Sequence, residues 1–132
     1  MSQENVDVVR RNVEAWNRRD LKSWLATFRC DAEIDWSRAR GPFKGVYRGH
    51  GQHEAFWDVF WSTFEDVQLE NYDWAETGFE VVYSQTAHMR GRQGIEVIAR
   101  STQVFTLENR QITCLRVFQE RAEALEAAGL SE

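Results

Sequence analysis

Little in this chain punctuates or cross-links it. Among 132 residues there are one proline, two cysteines and three histidines. Scarce proline leaves long stretches free to run as unbroken helices and strands. Cys30 and Cys114 fit no metal-ligand spacing and are too few for a disulfide framework. Reduced thiols are therefore expected, and with them a cytoplasmic location. No apolar run approaches the ~18 residues of a membrane span. The first residues lack a basic region followed by an apolar core, so no signal peptide is expected. Lys and Arg are scattered and the formal net charge is −5, so no nucleic-acid partner is expected. Repeats, low-complexity runs and linkers are missing too. One domain over residues 1–132 is the expected organisation.

What the chain has is aromatic bulk, with six Trp and eight Phe. Side chains of that kind give a small core large rigid walls. The chain is also rich in strand signals near its end. Residues 79–92, 95–107 and 111–119 alternate with period two or are enriched in β-branched and aromatic types. They read as three antiparallel strands joined at 91–94 and 108–110, both of hairpin length. A three-residue loop at 108–110 would place Gln103 opposite Leu115 and Ser101 opposite Val117. One face then carries Tyr83, Gln85, Ala87, Met89, Ala99, Ser101, Gln103, Phe105, Leu115, Val117 and Gln119. The other carries His88, Arg90, Arg100, Thr102, Arg116 and Phe118. The first face is apolar at its ends and amide-rich in its middle, as a pocket floor would be.

The earlier residues read as what covers that floor. A first helix, capped by Ser2, has Val6, Val9, Val13 and Trp16 at helical spacing, with Asn12 beside the stripe. Asp20 is placed to cap a short helix over 21–28 with Trp24, Leu25 and Phe28 inward. Residues 32–36 alternate as a strand, with Ala32, Ile34 and Trp36 inward. A loop over 37–45 holds Pro42, with Phe43 as a lid, before a short strand at Tyr47 and Arg48. A third helix over 52–64 turns Phe56 and Phe60 inward, with Trp57 and Phe64 beside them, and His53 one turn earlier on the same side. A strand over 67–76 and a final helix over 121–130 complete the series.

Several stretches carry a resemblance to a known family. They are Val8 to Arg11, Trp16 to Leu21, Asp31 to Ile34, Gly45 to Gly49, Phe105 to Leu107 and the tail from Arg121 to Leu130. Together with the order of elements, they make the whole chain similar to the nuclear transport factor 2-like superfamily, in its SnoaL-like, ketosteroid isomerase-related branch. The resemblance implies an α+β fold: a cone-shaped half-barrel in which a curved, mostly antiparallel (mixed) sheet wraps three helices around an internal pocket. It also implies a homodimer through the outer sheet face. The family spans isomerases, cyclases, dehydratases, epoxide hydrolases and proteins without known activity, so fold alone assigns no reaction.

Carried over position by position, the family's acids are missing here. The general base of ketosteroid isomerase falls on Trp36, its oxyanion tyrosine on Asn12 and its protonated aspartic acid on Gln103. The aspartate of SnoaL-like cyclases falls on Val117, as does one of the limonene epoxide hydrolase type. His53 stands where relatives place an apolar residue, which makes it the candidate acid/base of a cofactor-independent lyase, isomerase or hydrolase. The expected ligand-binding set is Asn12, Trp16, Trp36, Phe56, Phe60, Tyr83, Gln85, Gln103, Val117 and Gln119, facing a small hydrophobic molecule. Neither a metal nor a cofactor is expected. The alternative is a binding module, because amides orient a ligand but make poor acid/base catalysts. A structural role through Arg90, Arg100, Arg116 and Phe118 on the outer face is a third reading. There, Arg100 and Arg116 would pair with Glu33, Asp35 or a partner subunit.

Overall fold

The computed structural model describes residues 2–38 and 44–130. The elements are α1 (Ser2–Asn17), α2 (Leu21–Ala26), β1 (Phe28–Asp35), β2 (Val46–Arg48), α3 (Gly49–Thr63), β3 (Phe64–Glu76), β4 (Glu80–Gly91), β5 (Glu96–Glu108), β6 (Gln111–Phe118) and α4 (Arg121–Ala127). Every expected element is present. Pro42 and Phe43, expected in a loop and a lid, lie outside the described residues, as does the side chain of Ser2.

The six strands form one sheet in the order β2-β1-β6-β5-β4-β3. All neighbours are antiparallel except β1 and β6, which run parallel. The half-barrel expectation is corrected by this topology. Among the described residues, β2 pairs only with β1 and β3 only with β4, so the sheet keeps two free edges and does not close. It is an open mixed sheet packed on three helices, neither a barrel nor strongly curved. Closure would require the two end strands to meet, and β2 has only three residues to offer.

Local chemistry explains where the elements begin and end. Asp20 caps α2 by accepting from the Ser23 N–H at 3.2 Å and the Ser23 hydroxyl at 2.7 Å. Those bonds hold its carboxyl below the usual range. Gln52 bends back to accept the Arg48 N–H at 2.6 Å, steadying the start of α3. Asn17 ends α1 by imitating a strand residue. Its Nδ2 donates to the Leu69 carbonyl at 2.9 Å, and its Oδ1 accepts the Leu69 N–H at 2.8 Å. This double bond fastens the end of α1 to β3, which sets the height of Trp16 over the sheet.

The β5–β6 hairpin is tighter than expected. Asn109 and Arg110 alone form the loop, at φ +51° and +63°, and Glu108 pairs with Gln111. Both central residues in the left-handed region make this a primed hairpin turn. A register shift between Thr106 and Leu107 then sets Gln103 opposite Val117 rather than Leu115. The error is two residues, an even number, so Leu115 and Val117 keep their predicted inner face.

The core lies between the helices and the inner sheet face. Trp16 is its hub, with ring centroids of Trp24, Trp57, Phe60 and Trp61 within 6 Å, and its Nε1 donates to the Val67 carbonyl at 3.2 Å. On the outer face α4 buries Ala124 and Leu125 against Val82, Val104 and Phe118. Arg116 pairs there with the buried Glu80 at 2.8 Å, not with Glu33 or Asp35. Glu33 pairs instead with Arg48 at 3.1 Å. His88 meets Glu70 at 3.4 Å and Arg90 meets Glu65 at 3.3 Å, as outer-face salt links.

Candidate functional site

Between α1, α2, α3 and the inner sheet face lies a cavity of about 120 Å³. Trp16, Trp24, Trp36, Phe56 and Phe60 wall it on the helix side. Leu69, Tyr83, Gln85, Ala87, Met89, Ala99, Ser101, Gln103, Leu115 and Gln119 come from the sheet. Strand alternation produces this split, because odd-numbered residues of β4 and β5 share the inner face. The expected ligand set is largely brought together. Asn12, Trp16, Trp36, Phe56, Phe60, Tyr83, Gln85, Gln103 and Gln119 all line the cavity.

Two expected residues do not. Val117 is fully buried on the inner face but is covered by its neighbours. His53 is fully buried as well and lies away from the lining, among the rings of Phe28 at 4.8 Å, His50 at 6.0 Å and Trp24 at 6.4 Å. One helical turn from Phe56 is enough to rotate it towards β1. Burial holds the His53 ring below its ordinary pKa, with His50 adding to the effect and the backbone of Ala32 and Tyr47 opposing it. Neither ring nitrogen completes a well-formed hydrogen bond among the described residues. His50 is a helix-entry residue, its Nε2 3.0 Å from the Phe28 carbonyl.

Trp24 and the β3 residues Val67 and Leu69 complete the lining. Period and spacing placed Trp24 inward without distinguishing cavity wall from core. Only the gap between elements makes that distinction.

The polar groups are few and well oriented. Thr27 donates its hydroxyl to the Trp24 carbonyl at 2.7 Å, so it must accept from Asn12 Nδ2 at 2.8 Å. That chain fixes the Asn12 amide, leaving Oδ1 as its remaining acceptor. At the floor, the Tyr83 hydroxyl stands 2.9 Å from Gln103 Oε1 and 3.1 Å from Gln85 Oε1. A phenol has one proton to give. One glutamine therefore accepts it, and the other is satisfied by turning its NH₂ towards the phenol oxygen. The pair then has three N–H donors and one C=O group left over. Tyr83 is itself wedged between Trp74 at 4.9 Å and Phe105 at 5.4 Å, and burial keeps its phenol protonated far above the ordinary value. Among the described lining residues, Arg100 is the only one with a charged side chain at neutral pH, and it is exposed. Among the described residues there is also no cluster of three or more His, Cys, Asp or Glu able to hold a metal.

The SnoaL-like domain model matches residues 9–115, most of the chain and nearly all of this lining. The chain belongs to the SnoaL-like domain family. Solved structures agree at the level of fold. The chain is similar to TerC, co-crystallised with polyporic acid, at 16% identity and TM-score 0.79, covering 93% of this chain and 96% of that one. It is similar to SalBIII, described as an epoxide hydrolase/cyclase-like enzyme in pyran ring formation, at 20% identity and TM-score 0.78, covering 90% and 92%. It is similar to Rv0760c from Mycobacterium tuberculosis, solved with estradiol-17beta-hemisuccinate, at 15% identity and TM-score 0.77, covering 89% and 94%. No curated protein matches the chain. As a SnoaL-like domain it has a cavity lined by Trp36, Asn12 and Gln103, with Val117 buried beside it.

Proposed function

We propose that this SnoaL-like domain binds a small, largely apolar, ring-containing molecule that carries a carbonyl or phenol oxygen, and holds it without acid/base chemistry. One observation carries the reading: five aromatic side chains wall a cavity whose described polar lining is neutral amides, one phenol and the Ser101 hydroxyl, with the exposed Arg100 as its one charged residue. Flat aromatic walls favour rings. The floor amides supply N–H donors and one C=O acceptor to an oxygen-bearing edge, and Asn12 Oδ1 supplies a second acceptor. TerC with polyporic acid and Rv0760c with estradiol-17beta-hemisuccinate support the reading by analogy.

Catalysis through His53 is the weaker reading, because a general base must reach the proton it removes and His53 does not line the cavity. SalBIII keeps an enzymatic role in view for the fold. The test is to titrate polycyclic phenols and quinones into the wild-type protein and into Gln103→Leu, following the intrinsic fluorescence of the cavity tryptophans. Saturable binding weakened about tenfold in the variant is expected, the worth of one buried hydrogen bond. Equal affinity in both proteins would remove the floor amides from recognition.

A further inference from the structure

β5 outruns β6. Its ladder with β6 begins only at Thr102, opposite Phe118, while its pairing with β4 continues to Glu96, opposite Arg90. Among the described residues, 96–101 thus join a strand ladder along one side only. The free side presents a definite set of backbone groups. Gln119 Nε2 reaches the Arg100 carbonyl from that side, at 2.8 Å. On the opposite side, the Gly91 N–H bonds the Ile95 carbonyl at 2.7 Å. Residues of an antiparallel strand alternate in direction, so Glu96, Ile98 and Arg100 point their N–H and C=O groups away from β4. The stretch contains no proline and no lysine, and its two charges, Glu96 and Arg100, are of opposite sign. Ile95, Val97 and Ile98 are 65%, 42% and 62% exposed.

We propose that this edge pairs antiparallel with the same edge of a second copy, about a two-fold axis at Ile98. Charge sets the register. With Ile98 opposite Ile98, Glu96 of each copy stands opposite Arg100 of the other on one sheet face. Neither Glu96 nor Arg100 forms an ion pair within its own chain among the described residues. Val97 meets Ala99 on the cavity face. The same register brings together the residues whose backbone groups face away from β4, with the Arg100 carbonyl offering its second lone pair beside the Gln119 bond, so the ladder and the charges agree. A slip of two residues either way sets Glu96 or Arg100 against Ile98 and loses the match. The contact is isologous and closes after two copies. It also reaches the site: Ala99, Arg100 and Ser101 line the cavity, so the second copy adds Val97 beside its mouth. A dimer through the outer sheet face would leave this edge open.

Sedimentation over about 1 to 100 µM, a range in which a dimer of ordinary strength dissociates, tests the pairing. Wild type is expected to self-associate. Glu96→Arg and Arg100→Glu each set like charges opposite one another at both symmetric positions, and each is expected to weaken the dimer about tenfold or more. The double exchange restores opposite charges and is expected to restore the dimer. Ile98→Pro removes an edge N–H without breaking the β4 ladder and is expected to be a folded monomer. If Ile98→Pro does not fold, the charge series decides alone. A wild type that stays monomeric throughout, single reversals without effect, or a double exchange that fails to restore association would each overturn the proposal.

Discussion

At the scale of single residues, the cavity is defined by hydrogen bonds that leave no choice of direction. Thr27 has committed its proton to the Trp24 carbonyl, so Asn12 must donate to it. Tyr83 is held by two amides, one of which accepts its proton, and by two rings. Tyr83→Phe keeps the rings and removes the hydroxyl, leaving Gln85 and Gln103 buried without it. Chemical denaturation should show a loss of about 1–2 kcal/mol, the cost of orphaning a buried polar group. His53 makes the opposite case, a buried imidazole with unsatisfied nitrogens in an aromatic nest. Because its folded pKa lies below the ordinary 6.5, the unfolded chain takes up the proton first. Its stabilising share is whole above about pH 6.5 and is lost as pH falls below that value towards the folded pKa. Melting temperatures between pH 7.5 and 5.5 should therefore fall less in His53→Leu than in wild type, at unchanged ligand affinity. Equal slopes would mean that His53 does not titrate differently on folding.

At the scale of elements, the chain is legible wherever a period or a cap fixes the answer. The valine stripe of α1, the Asp20 cap and the alternation of β4 and β5 each state one structure, and each is observed. Face assignment survived the wrong loop length because the shift was even. What could not be read were the bulge at Thr106 and Leu107 and the turn of α3 that carries His53 out of the cavity. Both depend on packing between distant segments, which local pattern does not encode. Asn17 escaped notice for the same reason, since its partner Leu69 lies 52 residues away. The β5–β6 turn shows a local conflict in the sequence. Arg110 sits at φ +63°, a region that suits glycine, and the ion pair it forms with Glu4 is exposed. Arg110→Gly should raise stability by about 0.5–1 kcal/mol, because relief of left-handed strain outweighs a surface pair. A lower denaturation midpoint would show that the Glu4 contact matters more than the strain.

At the scale of the whole molecule, an open sheet and three helices enclose a space that the sheet alone cannot close. Two free edges and a mouth beside β5 follow from unequal strand lengths, not from any one residue. The sequence shows the helices and the sheet. It does not show that the sheet stays open, because closure depends on whether β2 and β3 meet. The function proposed here is a property of this scale too, since it requires walls from α1, α2 and α3 over a floor from β4 and β5. The most direct measurement is a thermal-shift screen of the wild-type protein against polycyclic phenols, quinones and steroid ketones, with the mass of each ligand determined after incubation. A molecule bound only by the folded state must raise the melting temperature. The account predicts a rise with at least one ring-bearing carbonyl or phenol, the ligand recovered at unchanged mass. Product in molar excess over protein, or no rise with any member of the panel, would contradict it.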